Sequence, residues 1–436
     1  MELIKYPDRS KWKDVLKRPA IDNSLLENTV SSILADVKAN GDKAVLEYNA
    51  KFDGVSISSL QVTPEEIDEA VGQIDEKLKK AIILAKNNIE KFHLQQKVVE
   101  KKVETTPGVT CWQRAVAIEK VGLYVPGGTA PLFSTVLMLG IPAMLAGCKE
   151  IIVCSPPMKN GKLAASILYT ASLIGIKKIY KVGGVQAIGA MAYGTASIPQ
   201  VYKIFGPGNQ YVTAAKQLVN RTGTAIDMPA GPSEVAVIAD ATSNPAFVAS
   251  DLLSQAEHGK DSQVLLFTTD ENIVPAIEKE VEKQLAALPR KDIATVSLGN
   301  SRVIIAPSND EMMDIVNEYA PEHLIIATDN AMELGMKVIN AGSVFLGHLT
   351  PESAGDYASG TNHTLPTNGY AKMYSGVNLD SFVKKVTYQH ISDYGIFNIG
   401  PAIEKMAALE QLDGHKNAVT LRLGSVVNKY CNDKLG

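Results

Sequence analysis

Seven histidines are spread along this chain of 436 residues, and several stand beside residues that could do chemistry with them. The sequence predicts a helix from Asn244 to Gly259, with Asn244 as N-cap and Pro245 in its first turn. Gln255 and His258 lie three residues apart in its last turn and share one face. This pair suits a metal or substrate site, although a histidine that caps carbonyl groups at a helix end is the commoner arrangement.

A second histidine follows an acidic residue directly. Glu322 and His323 lie between a predicted helix that ends near Tyr319 and a predicted strand. Adjacent glutamate and histidine side chains can supply a general base and a general acid at one place, because histidine titrates near neutral pH. A surface turn with two solvated side chains is an equally good interpretation of the pattern alone.

Two further histidines lie near the carboxyl end of the sequence. Residues 347–377 have five glycines, two prolines and almost no periodicity, and they contain Asp356 and His363. Loops of this length inside a compact domain are usually functional or disordered, and the embedded side chains favour function. Glu410 and His415 lie where one predicted helix ends and the next begins.

Four of these residues have the mixed nitrogen and oxygen character of an open catalytic zinc site, namely Gln255, His258, Asp356 and His415. Their long separation in sequence means that only folding could bring them together. Taken singly, each is more often a structural or surface residue than a ligand.

Three glycine-rich turns each follow a predicted strand and lead into a helix, at residues 126–128, 183–184 and 205–209. A cofactor phosphate would meet a helix N-terminus at such a turn. None reads GxGxxG, and no acidic residue stands where it would bind a ribose. Tight turns in an open sheet explain them equally well. Ligands of such folds bind beyond the carboxyl ends of the strands.

Composition excludes several classes of protein. Lys and Arg number 43 and Asp and Glu number 47, so the net charge is −4 and there is no basic footprint for nucleic acid or an anionic membrane. The N-terminus is charged and does not resemble a signal peptide, and the most apolar stretch, near 130–148, is interrupted by Pro142. Four scattered cysteines indicate neither a disulfide scaffold nor a thiolate zinc site. We therefore expect a cytoplasmic protein.

Cysteine chemistry is also possible in principle. Cys148 and Cys154 flank a predicted buried strand among apolar residues, with no histidine nearby in sequence. This setting favours two inert core cysteines over a nucleophile.

The first hundred residues show helical periodicity, and from about residue 117 short apolar runs alternate with helical patterns. Such alternation predicts parallel sheets covered by helices on both faces. Nine candidate strands exceed the size of one ordinary sheet, which favours two sheets. The candidates are 120–125, 150–154, 178–182, 201–205, 234–239, 263–268, 302–306, 323–327 and 343–346.

Long and unusual strings make the sequence recognisable. They are GLYVPGGTAPLFSTVLMLGIPA (122–143), KIFGPGNQYVTAAK (203–216), IDMPAGPSEVAVIAD (226–240), DLLSQAEHG (251–259), APEHL (320–324) and ESAGDYASGTNHTLPT (352–367). The chain resembles the histidinol dehydrogenase family from about residue 120 to 430. This resemblance implies an NAD-dependent, four-electron oxidation of L-histidinol to L-histidine through L-histidinal, the last two steps of histidine biosynthesis.

The resemblance also implies roles for individual residues. Gln255, His258 and Asp356 correspond to zinc ligands of one subunit, and His415 to the fourth ligand, which the partner subunit donates. The resemblance therefore implies one zinc ion per subunit. Glu322 and His323 correspond to the acid–base residues.

Further positions match the family's ligand contacts. The substrate contacts are Ser233, Glu234, His363 and Glu410, and they also include the four zinc ligands and His323. The NAD contacts are Tyr124, Gln186 and Asn209.

The fold that the resemblance implies is α/β, with two Rossmann-like parallel-sheet domains, atypical cofactor binding and small N- and C-terminal helical domains. On this basis residues 1–20 form an N-terminal segment. Residues 21–122 and 233–377 form the larger domain, with a helical N-terminal part and the zinc and catalytic residues. Residues 123–232 form the second Rossmann-like domain with the NAD contacts, and 378–436 a small domain that contributes to the partner subunit's site. An intertwined homodimer with shared active sites is expected.

Three other functions remain open from the residues alone. A cysteine-dependent aldehyde dehydrogenase would use Cys148 or Cys154, and a zinc hydrolase would use the same ligands to activate water. A two-lobed metabolite-binding protein would have a similar composition, but it would have no need of Glu322 and His323.

Overall fold

The computed structural model describes residues 1–19, 24–127 and 131–431. These residues fall into two compact units. The first unit joins Met1–Gln96 to Ile118–Phe382, and the second joins Lys97–Ala117 to the segment that starts at Val383.

The strands of the described residues are β1 (Glu2–Lys5), β2 (Lys102–Thr106), β3 (Val109–Ala117), β4 (Lys120–Tyr124), β5 (Glu150–Ser155), β6 (Lys178–Lys181), β7 (Lys203–Phe205), β8 (Ala225–Ile226), β9 (Glu234–Ile238), β10 (Gln263–Thr268), β11 (Arg302–Ile305), β12 (His323–Ile326), β13 (Ser343–Leu346) and β14 (Val383–Ile391). The α-helices are α1 (Trp12–Val15), α2 (Ser24–Asn40), α3 (Asp42–Tyr48), α4 (Pro64–Gln73), α5 (Glu76–Leu94), α6 (Phe133–Ala146), α7 (Ala165–Leu173), α8 (Gly184–Tyr193), α9 (Gln210–Asn220), α10 (Pro245–Ala256), α11 (Val274–Ala287), α12 (Lys291–Gly299), α13 (Asn309–Tyr319), α14 (Ala331–Gly335), α15 (Glu352–Tyr357), α16 (Asp393–Leu409) and α17 (Asp413–Cys431).

Local sequence explains where several helices begin. The Thr63 side chain accepts a hydrogen bond from the N–H of Glu66, whose own side chain accepts from the N–H of Thr63, so a capping box starts α4. Asn244 caps α10 in the expected way, with Pro245 in the first turn. The helix ends at Ala256, so His258 lies just beyond it and not in its last turn as the spacing predicted.

One sheet of the first unit has six parallel strands in the order β1-β11-β10-β9-β12-β13. The strands β9 to β13 have the order 3-2-1-4-5 of a doubly wound sheet. The short N-terminal strand β1 extends its edge beside β11.

The other sheet of this unit has five parallel strands in the order β6-β5-β4-β7-β8, which is again 3-2-1-4-5. The two sheets confirm the predicted fold class, and all nine predicted strands are present. Strands buried on both faces read as continuous apolar runs. Each residue of β9 and β10, for example, is buried.

The second unit contains an antiparallel sheet in the order β14-β3-β2, together with α16 and α17. The sequence predicted a short strand-like piece and two helices for residues 382–436, which agrees with β14, α16 and α17, but it did not predict β2 and β3. Its strands are mostly exposed or half-buried, and stacked rings such as Trp112 and Tyr388, with centroids 5.3 Å apart, cover one place on the sheet. Without a buried apolar run, β2 and β3 gave no strong signal.

Residues 97–117 are grouped with the C-terminal segment in the structure, whereas the sequence grouped them with the larger domain. The other domain boundaries drawn from the sequence remain predictions. Within the described ranges, none of the helices has the length and apolar character needed to cross a membrane.

Candidate active site

Two glutamates and a histidine meet at the amino ends of two neighbouring strands. His323 begins β12 and is in register with Val235 of β9, so Glu322 lies beside Glu234, the first residue of β9. The N–H of Glu234 donates to Glu322 Oε2 at 2.8 Å. The pair Glu322 and His323 is buried, which contradicts the alternative of a solvated surface turn. It also lies at the amino edge of this sheet, opposite to the edge at which ligands were expected.

The His323 ring has neighbours at both nitrogens. Nδ1 lies 2.8 Å from Gln255 Nε2 and 3.2 Å from the Glu234 carbonyl oxygen. Nε2 lies 3.4 Å from Asp356 Oδ1, and Nδ1 lies 3.6 Å from Glu322 Oε2. Folding thus brings together residues from α10, β9, β12 and α15 around one imidazole.

Carboxylates control the charge of this imidazole. Burial disfavours the imidazolium form of His323, but the charge of Glu322 and the carboxylate of Asp356 outweigh burial and raise the pKa of His323 well above its ordinary value. The reciprocal effect holds Asp356 ionised: burial alone would raise its pKa, and the contact with His323 lowers it below the usual value.

A group of potential metal ligands adjoins His323. Ligand atoms of His258, Glu352 and Asp356 all lie within 4.8 Å of one another. Gln255 is 1% exposed, and its Oε1 has no hydrogen-bond partner among the described residues. A buried carbonyl oxygen without a partner is costly unless a ligand occupies it. This donor set of imidazole nitrogen and oxygens fits zinc.

Glu352 was missed by the sequence analysis. It begins the short helix α15, inside a stretch that the sequence predicted as a loop, four residues before Asp356. Burial raises the pKa of Glu352 to about 8, and Ser254 Oγ donates to its Oε1 at 2.8 Å. The i, i+4 spacing of two acidic residues was the available signal.

The two remaining substrate candidates next to this group differ in their surroundings. The Glu234 carboxylate already accepts hydrogen bonds from Arg18 Nε at 2.5 Å, Arg18 Nη2 at 2.9 Å and the N–H of Asn368 at 2.8 Å. His363 lies 3.2 Å from Thr135 Oγ1 through Nε2 and 3.0 Å from the Asp356 carbonyl through Nδ1. Burial lowers the pKa of His363, which favours a neutral ring. Arg18 gave no signal in the sequence.

A cavity of about 650 Å³ opens beside these residues. Its wall includes Ser233 and His258 from the region of the six-stranded sheet and Asn209 from the five-stranded sheet. A single space therefore connects a candidate metal ligand with a candidate NAD contact.

The candidate NAD contacts lie at the carboxyl edge of the five-stranded sheet. Tyr124 ends β4, and its hydroxyl accepts from the N–H of Gly184 at 3.2 Å, while burial raises its pKa to about 12. Gln186 lies in the first turn of α8 and is 1% exposed. Asn209 caps α9 by accepting from the N–H groups of Tyr211 and Val212.

The turn after β7 is held tightly against β4, where the strand order reverses and doubly wound folds bind their ligands. Gly206 has φ +129°, and a Cβ there would lie 2.1 Å from the Tyr124 carbonyl oxygen, so only glycine fits. The buried Lys216 Nζ lies 2.5 Å from Asp227 Oδ1 and donates to the Gly206 carbonyl at 2.7 Å. The N–H of Gly206 donates to Asp227 Oδ2 at 2.8 Å. Another turn, after β4, includes Gly128, which lies outside the described residues.

Glu410 and His415 belong to the second unit. Glu410 follows α16, and His415 lies in the first turn of α17. Both side chains are exposed in the single chain.

The cysteines near the five-stranded sheet are poor nucleophiles. Burial raises the pKa of the Cys148 thiol to about 12 and that of Cys154 further still. A thiol rather than a thiolate is present at neutral pH in each case. This result agrees with the predicted role as inert core cysteines.

Two doubly wound sheets, a buried glutamate–histidine pair and an adjoining group of metal-ligand side chains define an α/β enzyme with an acid–base centre. The comparisons with known proteins are more specific. The model of the histidinol dehydrogenase family matches residues 16–423. The chain belongs to this family and is an oxidoreductase of histidine biosynthesis.

Individual relatives match this chain over nearly their whole length. The histidinol dehydrogenase of Bacteroides thetaiotaomicron is 64% identical over 426 residues, which cover 98% of this chain and 100% of that protein. The enzyme of Escherichia coli O157:H7 is 52% identical, with 95% of each chain covered. The crystal structure of histidinol dehydrogenase from Elizabethkingia anophelis is similar with a TM-score of 0.95, 56% identity and 98% coverage of both chains.

Proposed function

We propose that the buried centre around His323 carries out the NAD-dependent, four-electron oxidation of L-histidinol to L-histidine through L-histidinal. The observation that carries this proposal is the contact of His323 with Glu322, Gln255 and Asp356 at one sheet edge. An acid–base pair and a set of metal ligands are thereby available to one substrate molecule.

One zinc ion per subunit is held by Gln255, His258 and Asp356, with His415 of the partner subunit as the fourth ligand. The unpartnered Oε1 of Gln255 and the approach of the His258 and Asp356 ligand atoms support this assignment. When bound, zinc supplies a template that orients the imidazole and amine nitrogens of the substrate. Glu352 adds a further carboxyl group at this place, and a bound cation would favour its ionised form.

His323 accepts the hydroxyl proton of L-histidinol as the first hydride leaves. A cation bound at Asp356 would withdraw that carboxylate from the ring and favour the neutral imidazole that accepts this proton, while the carboxylate of Glu322 stabilises the imidazolium ion that forms. The backbone carbonyl of Glu234 and the amide of Gln255 both contact Nδ1 and fix the ring orientation.

Glu322 accepts a proton from the water that hydrates L-histidinal. The N–H of Glu234 holds Oε2 of this carboxylate in place. The aldehyde hydrate can then lose the second hydride, so no cysteine has to form a covalent intermediate. The elevated pKa of the Cys148 thiol agrees with this route.

NAD contacts Tyr124, Gln186 and Asn209 at the carboxyl edge of the five-stranded sheet. Each NAD bound there would accept one hydride, so two NAD molecules would be reduced in succession for each L-histidinol. Ser233, Glu234, His363 and Glu410 contact the substrate together with the metal ligands. The cavity shared by Asn209, Ser233 and His258 gives the two ligands a common space.

The active form is an intertwined homodimer in the cytoplasm, with no nucleic acid or membrane partner. Cys111, Cys148 and Cys154 are unpaired, as is usual in a reducing compartment.

Formation of NADH from L-histidinol tests this function. We expect two NADH per L-histidinol, loss of turnover after dialysis against a chelator, and recovery when zinc is added. A folded, zinc-loaded protein that forms no NADH would contradict the proposal. Turnover without NADH would indicate a hydrolase, and tight binding without turnover a metabolite-binding protein.

A further inference from the structure

Asp53 is a half-buried acidic side chain that the mechanism above does not use. It ends a π-helical turn over Asn49–Asp53, directly after α3. Its Oδ2 atom is buried and has no hydrogen-bond partner among the residues that the structure describes. Burial raises the pKa of Asp53 to about 6, and no neighbouring cation offsets this effect. One oxygen of this carboxylate is therefore held away from water with no described group to satisfy it, which is costly.

This turn is attached to the carboxyl edge of the five-stranded sheet. Asn49 Nδ2 donates to the carbonyl of Lys181, the last residue of β6, at 2.8 Å. Asn49 Oδ1 accepts from Gln186 Nε2 at 3.4 Å. Asp53 follows Asn49 by about one helical turn and faces the same way. Burial is the main cause of the raised pKa of Tyr124, and the charge of Asp53 raises it further. Asp53 therefore lies near the Tyr124 hydroxyl at the end of β4.

A second acceptor without a partner is present at this place. Gln186 is 1% exposed, and its Oε1 has no hydrogen-bond partner among the described residues. Lys181, which ends β6 at this edge, directs its ammonium group to Glu66 at 3.1 Å. Two buried acceptor atoms lie here, and no described cation lowers the pKa of Asp53. They suit a ligand that donates hydrogen bonds through hydroxyl groups and has no negative charge at this point.

We propose that Asp53 and Gln186 Oε1 accept hydrogen bonds from the adenosine ribose hydroxyls of the dinucleotide, and that Asp53 thereby selects NAD over its 2′-phosphorylated form. This inference rests on the proposed function, which places NAD at Tyr124, Gln186 and Asn209. The sequence offered no acidic residue at the usual position after the second strand. In the structure that carboxylate comes from a segment before the sheet.

Two properties of the site lead to selection. A ribose diol provides two donors, which matches two unpartnered acceptors. A 2′-phosphate would bring a second negative charge against a carboxylate with no neighbouring cation, and it would remove one donor. A hydrogen bond to a charged acceptor is worth about 10- to 100-fold in binding.

Calorimetric titration of the zinc-loaded protein with NAD, NADP and 2′-deoxy-NAD provides the test. For Asp53→Asn, we expect NAD to bind about 10-fold more weakly and the preference for NAD over NADP to fall by at least about 10-fold. Glu47→Gln is the matched control, because Glu47 is an exposed carboxylate on the adjacent helix α3 and its variant should bind all three ligands normally.

A thermodynamic cycle that combines Asp53→Ala with 2′-deoxy-NAD tests whether Asp53 contacts the 2′-hydroxyl of the ribose. Loss of the 2′-hydroxyl should weaken binding to the wild-type protein about 10-fold and should have little effect on binding to the variant. Equal losses in both proteins would overturn the assignment of the ribose to Asp53.

Thermal unfolding without dinucleotide separates a ligand contact from a structural role. The Asp53→Asn variant should melt at a higher temperature than the wild type at neutral pH, because the buried charge is removed. A lower melting temperature together with unchanged NADP discrimination would show that Asp53 supports the fold only. Absence of NAD binding by the wild type would contradict the proposed function itself, whereas normal binding by every variant would contradict only the role of Asp53.

Discussion

The chemistry of the candidate site depends on two adjacent residues with different surroundings. Glu322 accepts a backbone N–H through one oxygen, while His323 contacts a carboxylate on one side and an amide on the other. The contacts therefore allow the two side chains to act at different stages, although they lie next to each other in sequence.

Replacement of Glu322 by glutamine should separate these stages. The amide oxygen can still accept from the N–H of Glu234, so the fold is retained, but an amide cannot take a proton from water. We expect oxidation of added L-histidinal to slow about 10²- to 10⁴-fold, with a smaller effect on the alcohol step. Single-turnover measurements of NADH formation from each substrate test this.

The control is Glu333→Gln, which changes an exposed carboxylate on α14 and should oxidise both substrates normally. Oxidation of L-histidinal at the wild-type rate by the Glu322 variant would disprove the role in hydration.

Sequence identified part of this site for a physical reason. Glu322 and His323 are neighbours, so their joint chemistry is visible without the fold. Glu352 and Arg18 acquire their surroundings only through tertiary contacts, with Ser254 in one case and with Glu234 in the other. The spacing of Glu352 and Asp356 was the only local sign of the first residue, and Arg18 had none. Donor character suggested the four zinc ligands, and the family motifs pointed to the remaining substrate and NAD contacts.

Among the elements, the strands that sequence predicted are those buried on both faces. The strands that were missed are short, such as β1 and β8, or largely exposed, such as β2. Burial on one face or at an edge does not require an apolar run. The same limit applies to the site: strand patterns identify the sheet but do not reveal which of its edges holds His323.

The buried pair Lys216 and Asp227 ties α9, the turn after β7 and the segment after β8 together. Lys216→Met would leave the Asp227 carboxylate buried without its cation. We expect the free energy of unfolding to fall by about 3–5 kcal/mol. Chemical denaturation followed by circular dichroism measures this change.

Lys178→Met provides the comparison, because Lys178 forms an exposed ion pair with Glu150. Its loss should cost no more than about 1 kcal/mol. Equal effects of the two substitutions would show that burial of the Lys216 pair contributes little.

The stability of the ligand-free protein should also depend on pH through one element, the π-helical turn that holds Asp53. Its pKa of about 6 in the folded state exceeds the ordinary value of 3.8, so the folded state binds this proton more tightly. The Asp53 contribution to the free energy of unfolding therefore decreases as pH rises from about 4 to about 6. This component should be absent in Asp53→Asn when melting temperatures of both proteins are compared across that range.

For the whole molecule, the proposed site requires two copies of the chain. Gln255, His258 and Asp356 belong to the first unit, whereas His415 belongs to the second and is exposed in the single chain. Exposure of a proposed ligand on a separate unit is consistent with donation to a partner subunit.

Mixing two inactive variants tests this arrangement. His258→Asn and His415→Asn should regain up to about a quarter of wild-type activity after subunit exchange, because half of the dimers are mixed and each has one intact site. Activity and exchange are measured on the same sample, with exchange followed by mass spectrometry of differently tagged subunits.

Mixing His258→Asn with Asp356→Asn is the control, since both ligands come from the same subunit and no intact site can form. Absence of recovery in the first mixture after complete exchange would mean that His415 does not act across the dimer.

The strand β1 has a consequence for synthesis of the protein on the ribosome. Leu3 pairs with Val303, so the partner of this strand emerges about 300 residues later. At about 5–20 residues per second, the interval is roughly 15–60 s. During that time the strand has no edge to join, and its short length and flanking charges limit its pairing with other nascent chains. The six-stranded sheet is therefore completed late in translation, after the five-stranded sheet has already been synthesised.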